Sequence, residues 1–100
     1  MAKVSSVQRQ IRKVEGFDAH FVYEGPGPTA GKDVRDDRTG MPSYPYERAA
    51  ADKLTVGHWI ETRFKATFPG FDVVVLDGHG GHVNTRTKLA TVRATYAGGR

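Results

Sequence analysis

Residues 25–47 read GPGPTAGKDVRDDRTGMPSYPYE, and no helical or strand period runs through them. Pro26, Pro28, Pro42 and Pro45 all lie there, leaving only Pro69 for the rest of the chain. Proline fixes φ and has no N–H to donate, so neither a long helix nor a central strand can pass through this stretch. Within it, DDRTG reads as a turn and PSYPY as an extended segment. A connection this long is uncommon in a compact domain and is usually functional or mobile. The chain has 100 residues, the size of a single domain. Regular elements must therefore come from two blocks, 1–24 and 48–100.

In the first block Val4, Val7, Ile11 and Val14 recur at helical spacing, with Ser5 or Ser6 placed to cap the start and Gly16 to end the helix. A strand is the competing reading. Phe17, Ala19, Phe21 and Tyr23 then alternate with Asp18, His20, Val22 and Glu24, the pattern of a half-buried strand.

The second block opens with Ala49, Ala50 and Ala51, which favour helix, and Thr55 suits the N-cap of its main part. Val56, Ile60, Phe64 and Phe68 share a face, Trp59 flanks it, and Glu61 with Lys65 forms a supporting pair on the wet side. Pro69-Gly70 stops the helix. Phe71–Leu76 and Leu89–Tyr96 read as two more strands. Turning the chain at Gly80-Gly81 would set Val73 against Lys88 and Val75 against Arg86. Pairing Leu76 with Leu89 instead matches Val75 to Ala90 and Val73 to Val92, with Asp72 opposite Arg93, so the hydrophobic pattern selects that register. The expected fold is α+β: a small single domain over 1–100, with a three-stranded, mainly antiparallel sheet packed on one main helix and a short N-terminal helix in addition. Long loops occupy 25–47 and 77–88. Phe21, Ile60, Phe64, Val73 and Val75 should be buried.

No apolar run approaches the roughly 20 residues of a membrane span, and MAKVSSVQRQIRK has no apolar core of a secretory signal. The absence of cysteine excludes disulfides and thiolate metal sites. These features place the chain in the cytoplasm with no membrane partner. The net charge of +4 is unevenly spread. Residues 1–16 set Lys3, Arg9, Arg12 and Lys13 against Glu15 alone, residues 17–47 are net acidic, and residues 48–100 are basic again. Basic ends attract nucleic acid by counterion release, although charge of this size is also ordinary solvated surface.

Within DGHGGHVNTRTK, residues 77–88, Gly78, Gly80 and Gly81 allow backbone to approach a phosphate. Arg86 and Lys88 supply charge, Asn84, Thr85 and Thr87 supply hydrogen bonds, and Arg93 extends the basic set. Asp77, His79 and His82 could together face a zinc ion, with water in an open position. Glycines on both sides loosen that arrangement, so no metal and no other cofactor is expected. GPGPTAGKD fails as a phosphate-binding P-loop. Five residues separate Gly25 from Gly31 and three separate Gly27 from it, where the motif needs four, and Asp33 replaces the magnesium-binding hydroxyl. No nucleophile–base constellation is evident, and His20 and His58 read as surface. Tyr44 and Tyr46, flanking Pro45, either pin the long loop or face a protein partner. The sequence therefore favours a binding protein over an enzyme. Nucleic acid is the first partner, contacted by Asn84, Arg86, Lys88 and Arg93. The alternative is a protein-binding accessory or inhibitor, of the kind mobile genetic elements carry, using Tyr44 and Tyr46. A metal-dependent enzyme using Asp77, His79 and His82 comes third.

Overall fold

The N-terminal helix, α1 (Val4–Glu15), buries Val4, Val7 and Ile11 completely. Neither Ser5 nor Ser6 caps it. Its N-cap is Lys3, which gives no side-chain bond; the amides of Val4 and Ser5 donate instead to the carbonyls of Arg38 and Asp36 in the long loop, at 2.9 and 3.0 Å. Gly16, in the left-handed conformation at φ 83°, closes the helix by donating to the Arg12 carbonyl. These details come from a computed structural model that describes residues 2–97.

Strand β1 (Asp18–Tyr23) pairs antiparallel with β2 (Phe71–Leu76), from Asp18 opposite Leu76 to Tyr23 opposite Phe71. Ala19, Phe21, Val73 and Val75 are buried, as period-two alternation requires of one sheet face. Between these strands in sequence lies the second helical segment, α2, residues 56–67. Thr55 caps it as expected, its hydroxyl accepting from the His58 amide at 3.2 Å. The preceding alanines remain outside the helix.

The middle of α2, Ile60–Phe64, is a π-turn flanked by α-turns Val56–Trp59 and Lys65–Thr67. The Lys65 amide reaches back five residues to the Ile60 carbonyl. Thr62 and Thr67 donate their hydroxyls to the carbonyls of His58 and Arg63, four residues back, a bond that competes with the backbone ladder and bends helices. The wider turn lets Trp59 join Ile60, Phe64 and Phe68 in the core. Phe21 packs edge-on against Phe64 and Phe68, with ring centroids 4.9 and 5.0 Å away, and Phe17 meets Trp59 at 5.0 Å.

The expected third strand does not form. Leu89–Ala97 is a helix, α3, so among the described residues the sheet has two strands and the Leu76–Leu89 pairing is replaced. Leu89 and Val92 are fully buried and Arg93 and Tyr96 partly so, which is helical spacing. The chain instead turns tightly at Asp77–Gly81, where the Asp77 amide donates to the Gly81 carbonyl at 2.9 Å. It runs back beside β2 only briefly, through a bridge between Leu76 and His82 and a bond from the Val83 amide to the Val75 carbonyl.

The long loop is held down. Val34, Met41 and Tyr44 are buried, and residues 31–34 line the outer edge of β1: Tyr23 donates to Lys32, while Gly31 and Val34 donate to Tyr23 and Phe21. The side chain of Gln8 accepts from the Phe21 amide. The other edge, on β2, is occupied by Val83 and by Asp72, whose carboxylate accepts from the Val73 amide. The result is a small α+β unit with a radius of gyration of 12.9 Å, that of one compact domain of this length.

Candidate functional site

Packing Val4, Val7 and Ile11 inward turns the opposite side of α1 to solvent, where Arg9, Arg12 and Lys13 are exposed. The one acid of the helix, Glu15, goes the other way and is 1% exposed. It lies at the centre of a satisfied network. Tyr44 Oη donates to Oε2 at 2.5 Å and Arg63 Nη1 to the same oxygen at 2.7 Å. The Ala50 amide and Arg93 Nη2 donate to Oε1 at 2.8 and 3.2 Å. Trp59 Nε1 donates to Tyr44 Oη at 3.1 Å. Burial, then the hydrogen bond and charge of Glu15, hold the Tyr44 hydroxyl far above its ordinary pKa.

This network fixes the places of Arg93 and Tyr44. Arg93, expected from the sequence among the exposed basic residues, is turned inward: besides Glu15 it donates to the Ala50 carbonyl at 2.8 Å and to Asp52 at 2.6 Å, and its side chain is 18% exposed. Of the two roles the sequence offers Tyr44, the geometry is that of a loop pin: it is buried and ties the long loop to α1 and α2. Tyr46 stays half-buried, packed on Tyr44 and beneath the guanidinium of Arg63 at 4.4 Å.

The remaining loop residues keep their exposure. Asn84 Oδ1 accepts from the Arg86 amide at 2.8 Å and the Asn84 carbonyl from Thr87, which shapes a turn with Arg86 and Lys88 exposed. The Gly57 and Val56 amides donate to the Thr85 and Thr87 carbonyls at 2.8 Å, tying that turn to the start of α2. Asp77 is spent on its own turn: Oδ1 accepts from the amides of His79 and Gly81 at 2.8 and 2.9 Å, and those bonds lower its pKa. Asp77, His79 and His82 do not converge, and among the described residues no group of three or more histidine and acidic side chains is placed to hold a metal.

Beside the exposed face of α1 lies a cleft of about 600 Å³, lined by Gln8, Arg9, Arg12, Lys13, His20 and Leu76 among others. Arg12 is anchored at its rim by an ion pair to Asp18 at 3.0 Å and lies 4.5 Å over the ring of Tyr96. The hydroxyl of Tyr96 accepts from the Asp18 amide at 2.8 Å and donates to the Leu76 carbonyl, so it is inserted between the ends of the two strands. Burial raises its pKa. Arg9 and Lys13 have no acidic partner among the described residues.

His20, read from the sequence as plain surface, stands with Nε2 3.1 Å from Asp33 Oδ1. The contact depends on residues 31–34 lying along β1, and no local spacing in the sequence announces it. His20 and Leu76 also line a second cavity, of about 310 Å³, together with Asp33, Val74, Gly80 and His82. Comparison of the chain with protein-family models, with curated proteins and with solved structures gives no match.

Proposed function

We propose that this protein binds the phosphate backbone of nucleic acid, with the exposed face of α1 and its cleft as the main contact and the Asn84–Lys88 turn as a second one. The observation that carries the reading is the sorting of charge on α1: Arg9, Arg12 and Lys13 face solvent at the cleft, while Glu15 is neutralised inside by Arg63 and Arg93. Cations held on a rigid helix beside a groove attract a polyanion without the entropy loss of ordering a loop. Gln8 and Ser5 add polar groups to the same lining. Asn84, Arg86 and Lys88 supply the donors expected of a contact to phosphate and sugar.

The test is fluorescence anisotropy with labelled single-stranded RNA, single-stranded DNA and duplex DNA at about 50 and 200 mM salt. Affinity should fall steeply as salt rises, because each neutralised phosphate releases counterions. Arg9→Ala with Lys13→Ala should weaken binding to all sequences alike and flatten the salt slope by roughly two contacts. Arg86→Ala with Lys88→Ala should do the same to a smaller extent. No binding at the lower salt concentration would overturn the proposal.

A further inference from the structure

We infer that the surface joining the two cavities cleaves RNA without a metal ion, using His20 and His82 as the acid–base pair; this rests on the nucleic-acid reading above. The two histidines rise from the same sheet face. His20 sits on β1 opposite Val74, and His82 bridges to Leu76 on the far side of β2. Adjacent strands lie about 4.8 Å apart and the two positions are offset by two residues along β2, so roughly 12 Å separates the two backbones, a span that the two rings with one phosphodiester between them can fill. Both side chains line the cavity of about 310 Å³, whose floor includes Val74 and Leu76.

The surroundings divide the work. Asp33, at 3.1 Å from Nε2 of His20, favours the tautomer with the proton on that nitrogen and leaves Nδ1 as the acceptor. His20 also lines the cleft that holds Arg9, Arg12 and Lys13, so a strand lying along α1 passes it. Two acids border this path: Asp18 is paired with Arg12, and Asp33 with His20.

In the reaction the ribose 2′-oxygen attacks the adjacent phosphorus while its proton passes to Nδ1 of His20. The bond from phosphorus to the 5′-oxygen breaks, and that oxygen takes a proton from the His82 imidazolium. The products are a 2′,3′-cyclic phosphate and a 5′-hydroxyl, with no redox change and no co-reactant. The cations of α1 line the neighbouring cleft, where they hold the strand by its flanking phosphates. Asp33 is a positioning residue, acting through His20. DNA lacks the 2′-hydroxyl, so it binds the same surface and is not cut.

The experiment uses the full chain in excess chelator, with a labelled RNA oligonucleotide, its all-deoxy counterpart, and a DNA strand carrying one ribose. Binding and cleavage are followed on the same samples. The RNA should yield cyclic-phosphate ends, the all-deoxy strand should bind uncut, and the mixed strand should break only after its ribose. His20→Ala and His82→Ala should each lower cleavage by about 100-fold or more with binding retained. Asp33→Asn should lower kcat and leave KM unchanged. RNA bound but intact would overturn the inference and leave the binding proposal standing, as would cleavage undiminished in His20→Ala. The mixed strand tests the chemistry even if a variant misfolds: cutting away from the ribose rules it out. Absence of binding to all three would remove both readings.

Discussion

Glu15 accepts from four donors: Tyr44, the Ala50 amide, Arg63 and Arg93. A carboxylate taken out of water is tolerated only when its lone pairs are filled, and removing one member strands the rest. Glu15→Gln keeps the shape but takes away the charge that holds two guanidinium groups. It should cost about 3 kcal/mol, the lower end for a broken buried pair because both arginines keep some contact with water. Urea unfolding of the two proteins measures it. Tyr44 adds a pH signature. Its folded pKa lies above the ordinary value of 10.0, so its contribution is complete below about pH 10 and is lost as pH climbs past that value. Melting temperature should therefore fall on the alkaline side, and less steeply in Tyr44→Phe; the residual slope reports Tyr96 and Lys65, both shifted the same way. Of this network the sequence offered only a loop-pinning role for Tyr44, and none of the partners. Arg93 is 78 residues from Glu15, and a lone arginine in an apolar run looks the same whether its partner is a phosphate, a cross-strand aspartate or a buried glutamate.

The elements were legible where one face alone decides the structure. The apolar positions of α1, the alternation of β1 and the Thr55 cap all point to local geometry that forms as read. Residues 89–97 were ambiguous because LATVRATYA is rich in apolar and β-branched residues and satisfies two templates. Treating Arg93 as exposed favours a strand. Placing Leu89, Val92, Arg93 and Tyr96 on one face gives the helix, and only the buried acid on α1 makes an arginine acceptable there. The turn before it reflects the same choice. Gly78 lies against the backbone of α3, where an added Cβ would be 2.3 Å from the Thr95 carbonyl oxygen. Its amide donates to the Thr95 hydroxyl at 2.7 Å. Gly78→Ala should thus force the turn away from the helix, at about 1–3 kcal/mol. Gly81→Ala meets only the Asp77 carboxylate, at 3.2 Å, which a small side-chain movement relieves. Paired thermal melts should rank Gly78→Ala as the more damaging; the reverse order would show that the turn does not rest on α3.

In the whole molecule, α1, the 44–52 segment, α2 and α3 meet at one ionic centre, while β1, β2 and α2 share the aromatic core. Neither half is closed without the other. Ending the chain after Lys88 removes Leu89 and Val92 from the core, Arg93 from Glu15 and Tyr96 from the sheet end. It should abolish cooperative unfolding, seen as loss of a sigmoidal melt and collapse of amide proton dispersion, and not merely lower the midpoint. The two covered sheet edges have a separate consequence, for self-assembly. A pair of strands offers unpaired backbone on both sides, a template for adding further chains. Here residues 31–34 line the β1 edge, and the Val83 amide and the Asp72 carboxylate take part of the β2 edge. Templated polymerisation must therefore wait for one of these short segments to lift, a local opening whose frequency is set by a few surface hydrogen bonds and not by the stability of the core. Fibril lag times should then follow substitutions within 31–34, including ones that leave the melting temperature untouched.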